Sequence, residues 1–157
     1  MQHLDDRDIF RQLRSEIVLP ARDSGAAVWL AGISLGGLIA LDYASSHPGE
    51  LDGLCLLAPY LGNRMLTNEI AAASGLAGWQ PGELAESDTE RRIWGYIKTR
   101  ADSRPVLLGY GRDDRFSAAH AMLAAALPAN SVEVVAGGHE WATWLKLWEI
   151  FLDAHFT

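Results

Sequence analysis

Cysteine is nearly absent from this sequence, since Cys55 is the single one among 157 residues. One cysteine cannot close a disulfide within the chain, and the paired cysteine spacing of a metal site is missing. Cys55 lies in the apolar run Leu54-Cys55-Leu56-Leu57, where burial raises the pKa of a thiol and leaves it unreactive. We therefore expect Cys55 to be a core residue and not a nucleophile.

Basic residues are also scarce. The chain has 13 Lys and Arg against 20 Asp and Glu, which gives a net charge of −7. A nucleic-acid-binding protein usually carries a basic stripe, so this class is excluded. No apolar run is long enough to cross a membrane, and the polar, acidic start of the chain does not have the pattern of a secretory signal. We expect a cytoplasmic protein.

Apolar residues make up 49% of the chain, enough for one domain over residues 1–157 with a core of its own. Short apolar runs alternate with helical patterns, which is typical of parallel strands joined by helices. Strands are predicted at 26–31, 51–58, 105–109 and 132–136, and helices at 9–18, 35–46, 87–99, 117–127 and about 141–154. This order predicts an α/β fold with three αβα layers and a parallel sheet of about four strands. Residues 61–100 form a small cap or connector.

Local signals set the ends of these helices. Pro20 is expected to end the first helix, and Ser87 with Glu90 three residues later forms a capping box. The last helix has an apolar stripe at helical spacing, made of Trp141, Trp144, Leu145, Trp148, Phe151 and Leu152. Its tryptophans fit either a cofactor or sugar platform or a helix packed on a sheet, and packing is the favoured interpretation.

The pentapeptide Gly32-Ile33-Ser34-Leu35-Gly36 follows a predicted strand and precedes a predicted helix. In this context Gly-x-Ser-x-Gly is typical of a nucleophile elbow, a strained turn that lifts the serine above the sheet. A side chain at Gly32 or Gly36 is expected to collide with neighbouring backbone. The N–H of Leu35, at the helix start, is the first expected oxyanion donor. The alternative is a turn that binds phosphate or has no ligand, but a phosphate loop would continue with Gly-Lys-Ser/Thr.

Two further polar residues follow the third and fourth predicted strands. Asp114 ends the run Gly111-Arg112-Asp113-Asp114, and His139 follows Gly137-Gly138. Sites form where parallel strands end, and the order Ser, Asp, His is typical of a catalytic triad on such a sheet. Taken singly, the acidic pair or His139 also fits a helix-capping role. The other histidines lack this setting and are expected at the surface: His3, His47, His120 and His155.

Several segments resemble the α/β-hydrolase fold of esterases, thioesterases and peptidases. Residues 31–40 resemble its elbow and residues 54–60 the strand that follows, while Gly111-x-x-Asp114 and Gly138-His139 resemble its acid and histidine loops. The resemblance covers residues 26–155, implies the C-terminal part of that fold, and favours Asp114 over Asp113 as the acid.

The chain departs from this family before the elbow. Members place about four strands before the elbow strand, and the loop after the third supplies a second oxyanion donor. Here one predicted helix precedes Val28-Trp29-Leu30-Ala31, which would then form a sheet edge. Because an apolar unpaired edge promotes aggregation, we expect a homodimer or another complex to cover it, unless the N-terminal helix does. A partner chain or residues 61–100 would have to supply the second donor.

The resemblance implies a serine hydrolase that cleaves a small carboxylic ester or thioester through an acyl-enzyme. Ser34 would attack, His139 would act as the base, and Asp114 would orient the imidazole. No metal or organic cofactor is needed. Two alternatives remain: a catalytically weak or inactive remnant that binds or regulates, and an acyltransferase with the same triad. The candidates for an acyl pocket, which fit covering of the sheet equally well, are Tyr60, Trp79 and Trp94.

Overall fold

The computed structural model describes residues 6–99 and 103–157. Helices alternate with four strands, β1 (Trp29–Ile33), β2 (Gly53–Leu57), β3 (Val106–Gly111) and β4 (Val132–Val135). The helices are α1 (Asp6–Gln12), α2 (Leu19–Asp23), α3 (Leu35–Ser46), α4 (Arg64–Ala72), α5 (Thr89–Thr99), α6 (Ser117–Ala124) and α7 (Trp141–His155). A π-helical turn, Leu13–Val18, joins α1 to α2, and a short 3-10 turn, Ala129–Ser131, precedes β4.

The four strands form one parallel sheet in the order β1-β2-β3-β4. The last residue of β1, Ile33, lies opposite Leu57, the last residue of β2, and Leu57 lies opposite Gly109 of β3. The carboxyl ends of these strands therefore lie side by side, which places the loops that follow them at one edge. This confirms the predicted α/β fold with a sheet between helical layers.

Alternate residues of the central strands pack on opposite faces of the sheet, as the period of a strand requires. Leu56 and Leu108 belong to the larger core, which α3, α5 and α6 complete. Cys55 and Leu57 face the other side, where Leu147 of α7 covers them. Cys55 is buried as expected, and burial raises the pKa of its thiol to about 12.

Residues 61–99 contribute buried side chains to the larger core. The indoles of Trp79 and Trp94 are fully buried there. Trp79 Nε1 donates to Glu69 Oε1 at 2.8 Å, and Trp94 Nε1 donates to the carbonyl of Leu61 at 2.7 Å. The prediction that Trp79 and Trp94 line a pocket is therefore wrong, because both rings are used to pack α4 and α5 against the sheet.

Helix ends differ from the prediction at two places. Pro20 does not end the first helix but lies in the first turn of α2, where a missing N–H is tolerated after the wider π-helical turn. At α5 the cap is Asp88 and not Ser87, since Asp88 Oδ1 accepts from the N–H of Arg91 at 3.1 Å. Glu90 does not complete a capping box, because its carboxylate accepts hydrogen bonds from Asn63 instead. The backbone N–H of Asn63 donates to Glu90 Oε2 at 2.9 Å, and the side-chain amide donates to the same oxygen at 2.7 Å.

The last helix buries a narrower face than its apolar stripe predicts. Its buried residues are Thr143, Leu147 and Phe151, four residues apart. Trp141 and Leu145 remain 66% and 47% exposed. The helix does pack on the sheet as favoured, but Trp141 and Leu145 of the apolar stripe face outward.

Strand β1 forms one edge of the sheet and pairs with β2 alone among the described strands. Ala31 of this strand is exposed, and Trp29, Leu30 and Ile33 are half-buried. An edge strand lacks the second neighbour that would cover it. Within the described ranges, no helix has the length and apolar character that crossing a membrane requires.

Candidate active site

Ser34 forms the turn between β1 and α3 with φ 53° and ψ −116°. A positive φ is strained for any residue other than glycine, and such strain is found at functional turns. Two backbone hydrogen bonds hold it: the N–H of Ser34 donates to the carbonyl of Leu57 at 3.0 Å, and the N–H of Tyr60 donates to the carbonyl of Ser34 at 2.8 Å. The end of β2 and the loop that follows it therefore hold both the N–H and the carbonyl of Ser34.

Two glycines allow this turn, although they are not the predicted pair. A Cβ at Gly32 would overlap the carbonyl of Gly36, as expected. A Cβ on Gly36 itself would meet open space, so the expected collision there is wrong. Gly37 is the second restricted position, because a Cβ there would lie 2.6 Å from Pro59 Cβ. The start of α3 therefore packs directly against Pro59.

The structure brings Ser34, His139 and Asp114 into one chain of hydrogen bonds. Ser34 Oγ lies 2.9 Å from His139 Nε2, and His139 Nδ1 lies 2.7 Å from Asp114 Oδ2. With the carboxylate as acceptor, Nδ1 carries the proton and Nε2 presents a lone pair to the serine hydroxyl. The side chains of His139 and Asp114 are 10% and 0% exposed, so little water competes with these bonds.

The acid loop and the histidine loop are neighbours, as their spacing predicts. The N–H of Asp113 donates to the carbonyl of Gly137 at 3.0 Å, while its side chain is exposed. The second carboxylate oxygen of Asp114 accepts from the N–H of Phe116 at 2.8 Å. Asp114 therefore binds the start of α6 and His139 at once, whereas Asp113 contacts the histidine loop through its backbone.

Two aromatic rings that the sequence analysis missed bracket His139. Phe116 and Trp144 contact the imidazole edge-on, with centroids 5.3 and 5.0 Å away and both interplanar angles 85°. Such edge-to-face contacts are favourable, and they fix the ring while leaving both of its nitrogens to Ser34 and Asp114. Phe116 lies two residues after Asp114, and Trp144 lies near the start of α7, soon after His139. Their closeness in sequence to two predicted site residues was the signal that could have identified them.

Of the three predicted pocket residues, Tyr60 is next to the triad. Its ring lies 5.8 Å from that of Phe116, and its hydroxyl donates to Glu90 at 3.2 Å. Burial and the neighbouring Glu90 carboxylate raise the pKa of Tyr60. The N–H of Leu35, at the start of α3, has no acceptor in the described part of the chain, which is what an oxyanion donor requires.

Two cavities begin at the elbow. One of about 540 Å³ contains Leu35, Leu38 and Asn63 in its wall, together with the acidic residues Asp42 and Glu90. The other, of about 300 Å³, is apolar and lies between β1 and α7. Its lining includes Gly32, Ile33, Leu57, Trp141, Trp144 and Trp148. The elbow therefore has a cavity with mixed apolar and acidic walls on the α3 side and an apolar one on the α7 side.

His120 is fully buried, so its expected place at the surface is wrong. On α6 it lies three residues before the buried Leu123, and apolar residues at such helical spacing indicate a buried face. Burial lowers the pKa of its imidazole. His47 is half-buried and stacked on Tyr43. His155 is exposed as expected, and His3 lies outside the described residues.

The chain is similar to several solved hydrolases at low identity. A protein described as a lipase from Acinetobacter baumannii aligns with TM-score 0.59 and 16% identity, over 99% of this chain and 68% of that one. A ferulic acid esterase aligns with TM-score 0.56 and 19% identity, over 89% and 58%. The thioesterase domain from the curacin biosynthetic pathway aligns with TM-score 0.53 and 13% identity, over 92% and 71%. These likenesses confirm the fold.

A sequence comparison covers the elbow. Residues 3–89 match the family model described as serine aminopeptidase, S33. The matched range includes Ser34, while Asp114 and His139 lie beyond it. A comparison with the curated proteins finds no significant match.

Proposed function

We propose, from the premise that this chain belongs to the serine aminopeptidase S33 family of α/β hydrolases, that Ser34 is the nucleophile of a serine hydrolase. The observation that carries the proposal is the bonded sequence Ser34, His139, Asp114, built on loops that follow β1, β3 and β4. The proposed reaction is hydrolysis of a small carboxylic ester or thioester through an acyl-enzyme.

Each side chain has a role that its contacts support. The lone pair of His139 Nε2 takes the proton from Ser34 Oγ as the hydroxyl attacks the carbonyl carbon, and later gives that proton to the leaving group. Asp114 keeps the proton of the neutral imidazole on Nδ1 and stabilises the imidazolium that forms. Water then attacks the acyl carbon while His139 Nε2 accepts its proton, and the bond to Ser34 Oγ breaks as His139 returns that proton to it, which releases the carboxylic acid and restores the free hydroxyl.

The N–H of Leu35 is the proposed donor to the oxyanion. It lies at the N-terminus of α3, where the helix dipole also favours negative charge. A site that lacks one of two such donors is slower by on the order of 10²–10³. We therefore expect slow turnover of the isolated chain unless a partner supplies a second N–H.

The larger cavity is the proposed place for part of the substrate. It begins at Leu35, directly after the nucleophile, and has both apolar and acidic walls. It replaces the pocket predicted around Trp79 and Trp94, whose rings are in the core. The family description names an aminopeptidase, so an aminoacyl amide is the second substrate class to compare with esters and thioesters.

Labelling with a fluorophosphonate probe tests the proposal. We expect stoichiometric modification of the wild-type protein at Ser34, and none in Ser34→Ala or His139→Ala, because attack on phosphorus needs both groups. Matched controls are Ser24→Ala and His155→Ala, which remove an exposed serine and an exposed histidine. Both should label like the wild type.

The outcomes separate the alternatives. A folded wild-type protein that remains unlabelled contradicts the hydrolase and favours the binding or regulatory protein. Labelling with transfer of the acyl group to an added alcohol, in preference to water, favours the acyltransferase. Turnover of esters and thioesters without amide cleavage supports the proposed substrate class.

A further inference from the structure

His120 is a fully buried histidine close to Asp114 and His139 that the proposed mechanism does not use. Its Nε2 lies 2.9 Å from the carbonyl oxygen of Pro59. Because a carbonyl only accepts, Nε2 carries the proton and donates it. Nδ1 then has a lone pair, and this atom has no hydrogen-bond partner among the described residues.

Packing alone does not account for a histidine at this position. The neighbouring rings are those of Tyr110 and Phe116, with centroids 5.0 and 6.5 Å away. A buried acceptor without a partner is unfavourable, and a phenylalanine would fill similar space without one. What the histidine adds is the hydrogen bond from its N–H to Pro59.

Pro59 belongs to the loop that supports the nucleophile. The next residue, Tyr60, donates its N–H to the carbonyl of Ser34 at 2.8 Å. The preceding residue, Ala58, has a strained φ of 45° and donates its N–H to the carbonyl of Gly109 at 2.7 Å. Because Gly37 packs against Pro59, a shift of this proline would move the start of α3.

The other side of His120 leads to the acid. The backbone N–H of His120 donates to the carbonyl of Phe116 at 3.0 Å, and the backbone N–H of Phe116 donates to Asp114 Oδ1 at 2.8 Å. The carbonyl of Asp114 accepts from Ser117 at 2.9 Å, which begins α6. The imidazole of His120 thus joins the segment that holds the acid to the segment that holds the serine, by a path that bypasses His139.

We propose that His120 is a positioning residue whose hydrogen bond to Pro59 fixes the distance between the acid loop and the serine turn. With that distance fixed, His139 reaches both Asp114 and Ser34. The inference rests on the proposed function. Because a misplacement of about 1 Å can cost on the order of 10²-fold in rate, loss of this one bond should be measurable.

The test is the rate of Ser34 modification by a fluorophosphonate probe in His120→Phe and His120→Gln. Phenylalanine keeps the ring without the donor, so we expect the maximal rate to fall about 10-fold or more at an unchanged half-saturating concentration. The glutamine amide donates to a carbonyl, so we expect it to restore part of the rate. His47→Phe is the matched control, since His47 also has an unpartnered buried Nδ1 but lies away from the triad.

A second readout does not depend on labelling. The low-field proton NMR resonance of the hydrogen bond between His139 Nδ1 and Asp114 should shift or broaden in His120→Phe and stay unchanged in His47→Phe. If His120→Phe does not fold, His120→Asn replaces it, because the asparagine amide is too short to reach Pro59. A folded variant with wild-type rate and resonance overturns the positioning role.

The two proposals fail separately. A wild-type protein that does not label, but whose resonance responds to His120, contradicts the hydrolase and keeps the positioning role. A wild-type protein that labels at the same rate as His120→Phe keeps the hydrolase and contradicts the positioning role.

Discussion

At the scale of single residues, Gly36 and Gly37 differ although they are adjacent. A Cβ on Gly36 meets open space, whereas one on Gly37 would lie 2.6 Å from Pro59 Cβ. We expect Gly36→Ala to stabilise the protein by up to about 1 kcal/mol, because alanine favours a helix. Gly37→Ala should destabilise it and slow labelling of Ser34. Thermal unfolding and probe kinetics on both variants would check this, and equal effects would contradict it.

The hydrogen-bonded set Ser34, His139 and Asp114 could be predicted from the sequence because each residue has a local signal. Ser34 lies between glycines after a strand, Asp114 follows Gly111 at the end of β3, and His139 follows Gly137-Gly138 in the loop after β4. The contacts of Phe116 and Trp144 with the imidazole of His139 could not be predicted, since they depend on how α6 and α7 pack. His120 was predicted at the surface because it does not follow a strand and a pair of glycines. The prediction did not take into account that it lies on the buried face of α6.

At the scale of helices, the start of α5 allows a direct comparison of two candidate caps. Asp88 accepts the N–H of Arg91 and also forms an ion pair with its guanidinium at 3.4 Å. We expect Asp88→Ala to lower the free energy of unfolding by about 1 kcal/mol, as for other N-caps. Ser87→Ala should leave it unchanged. Chemical denaturation of both variants measures the difference, and the reverse order would restore the capping box that the sequence indicated.

The four strands and most of the helices were predicted to within a few residues, and α3 agrees at both ends, but α4 (Arg64–Ala72) was not predicted. Ends were missed where a contact distant in sequence decides them. The carboxylate of Glu90 is held by Asn63, which removed it from the expected cap, and the π-helical turn before Pro20 let that helix continue to Asp23. The buried face of α7, Thr143, Leu147 and Phe151, is offset from its tryptophan stripe, of which Trp141 and Leu145 remain exposed.

At the scale of the whole molecule, we propose that a second copy of the chain covers β1. The edge of β1 and the exposed Trp141 and Leu145 lie beside one apolar cavity, and a strand edge can pair with its own copy about a two-fold axis. We expect a dimer at high concentration by light scattering. Leu145→Glu should shift it to a monomer, because a charge would then be buried.

The control for this prediction is Met65→Glu. Met65 is the more exposed of the two side chains and lies on α4, outside the cavity lining, so its charged variant should remain a dimer. A wild-type protein that stays monomeric at high concentration contradicts the proposed pairing.

Stability should fall on mild acidification because of His120. Burial lowers the pKa of this imidazole from its ordinary value of 6.5, so the folded state favours the neutral form. Its contribution is complete above about pH 6.5 and is lost as the pH falls toward the folded pKa. Thermal unfolding from about pH 8 to about pH 5 should show a decline in the wild type that is smaller in His120→Phe. Parallel curves would contradict this.

The hydrogen bond between Ser34 and His139 joins residues 105 positions apart, and this separation has a kinetic consequence. Contacts between distant residues form late because the intervening chain must first be ordered. The serine turn and the start of α3 are held by Leu57, Pro59 and Tyr60, whereas His139 reaches Ser34 only after β3 and β4 have joined the sheet. We therefore expect labelling of Ser34 by a fluorophosphonate probe to appear only once β3 and β4 have completed the sheet.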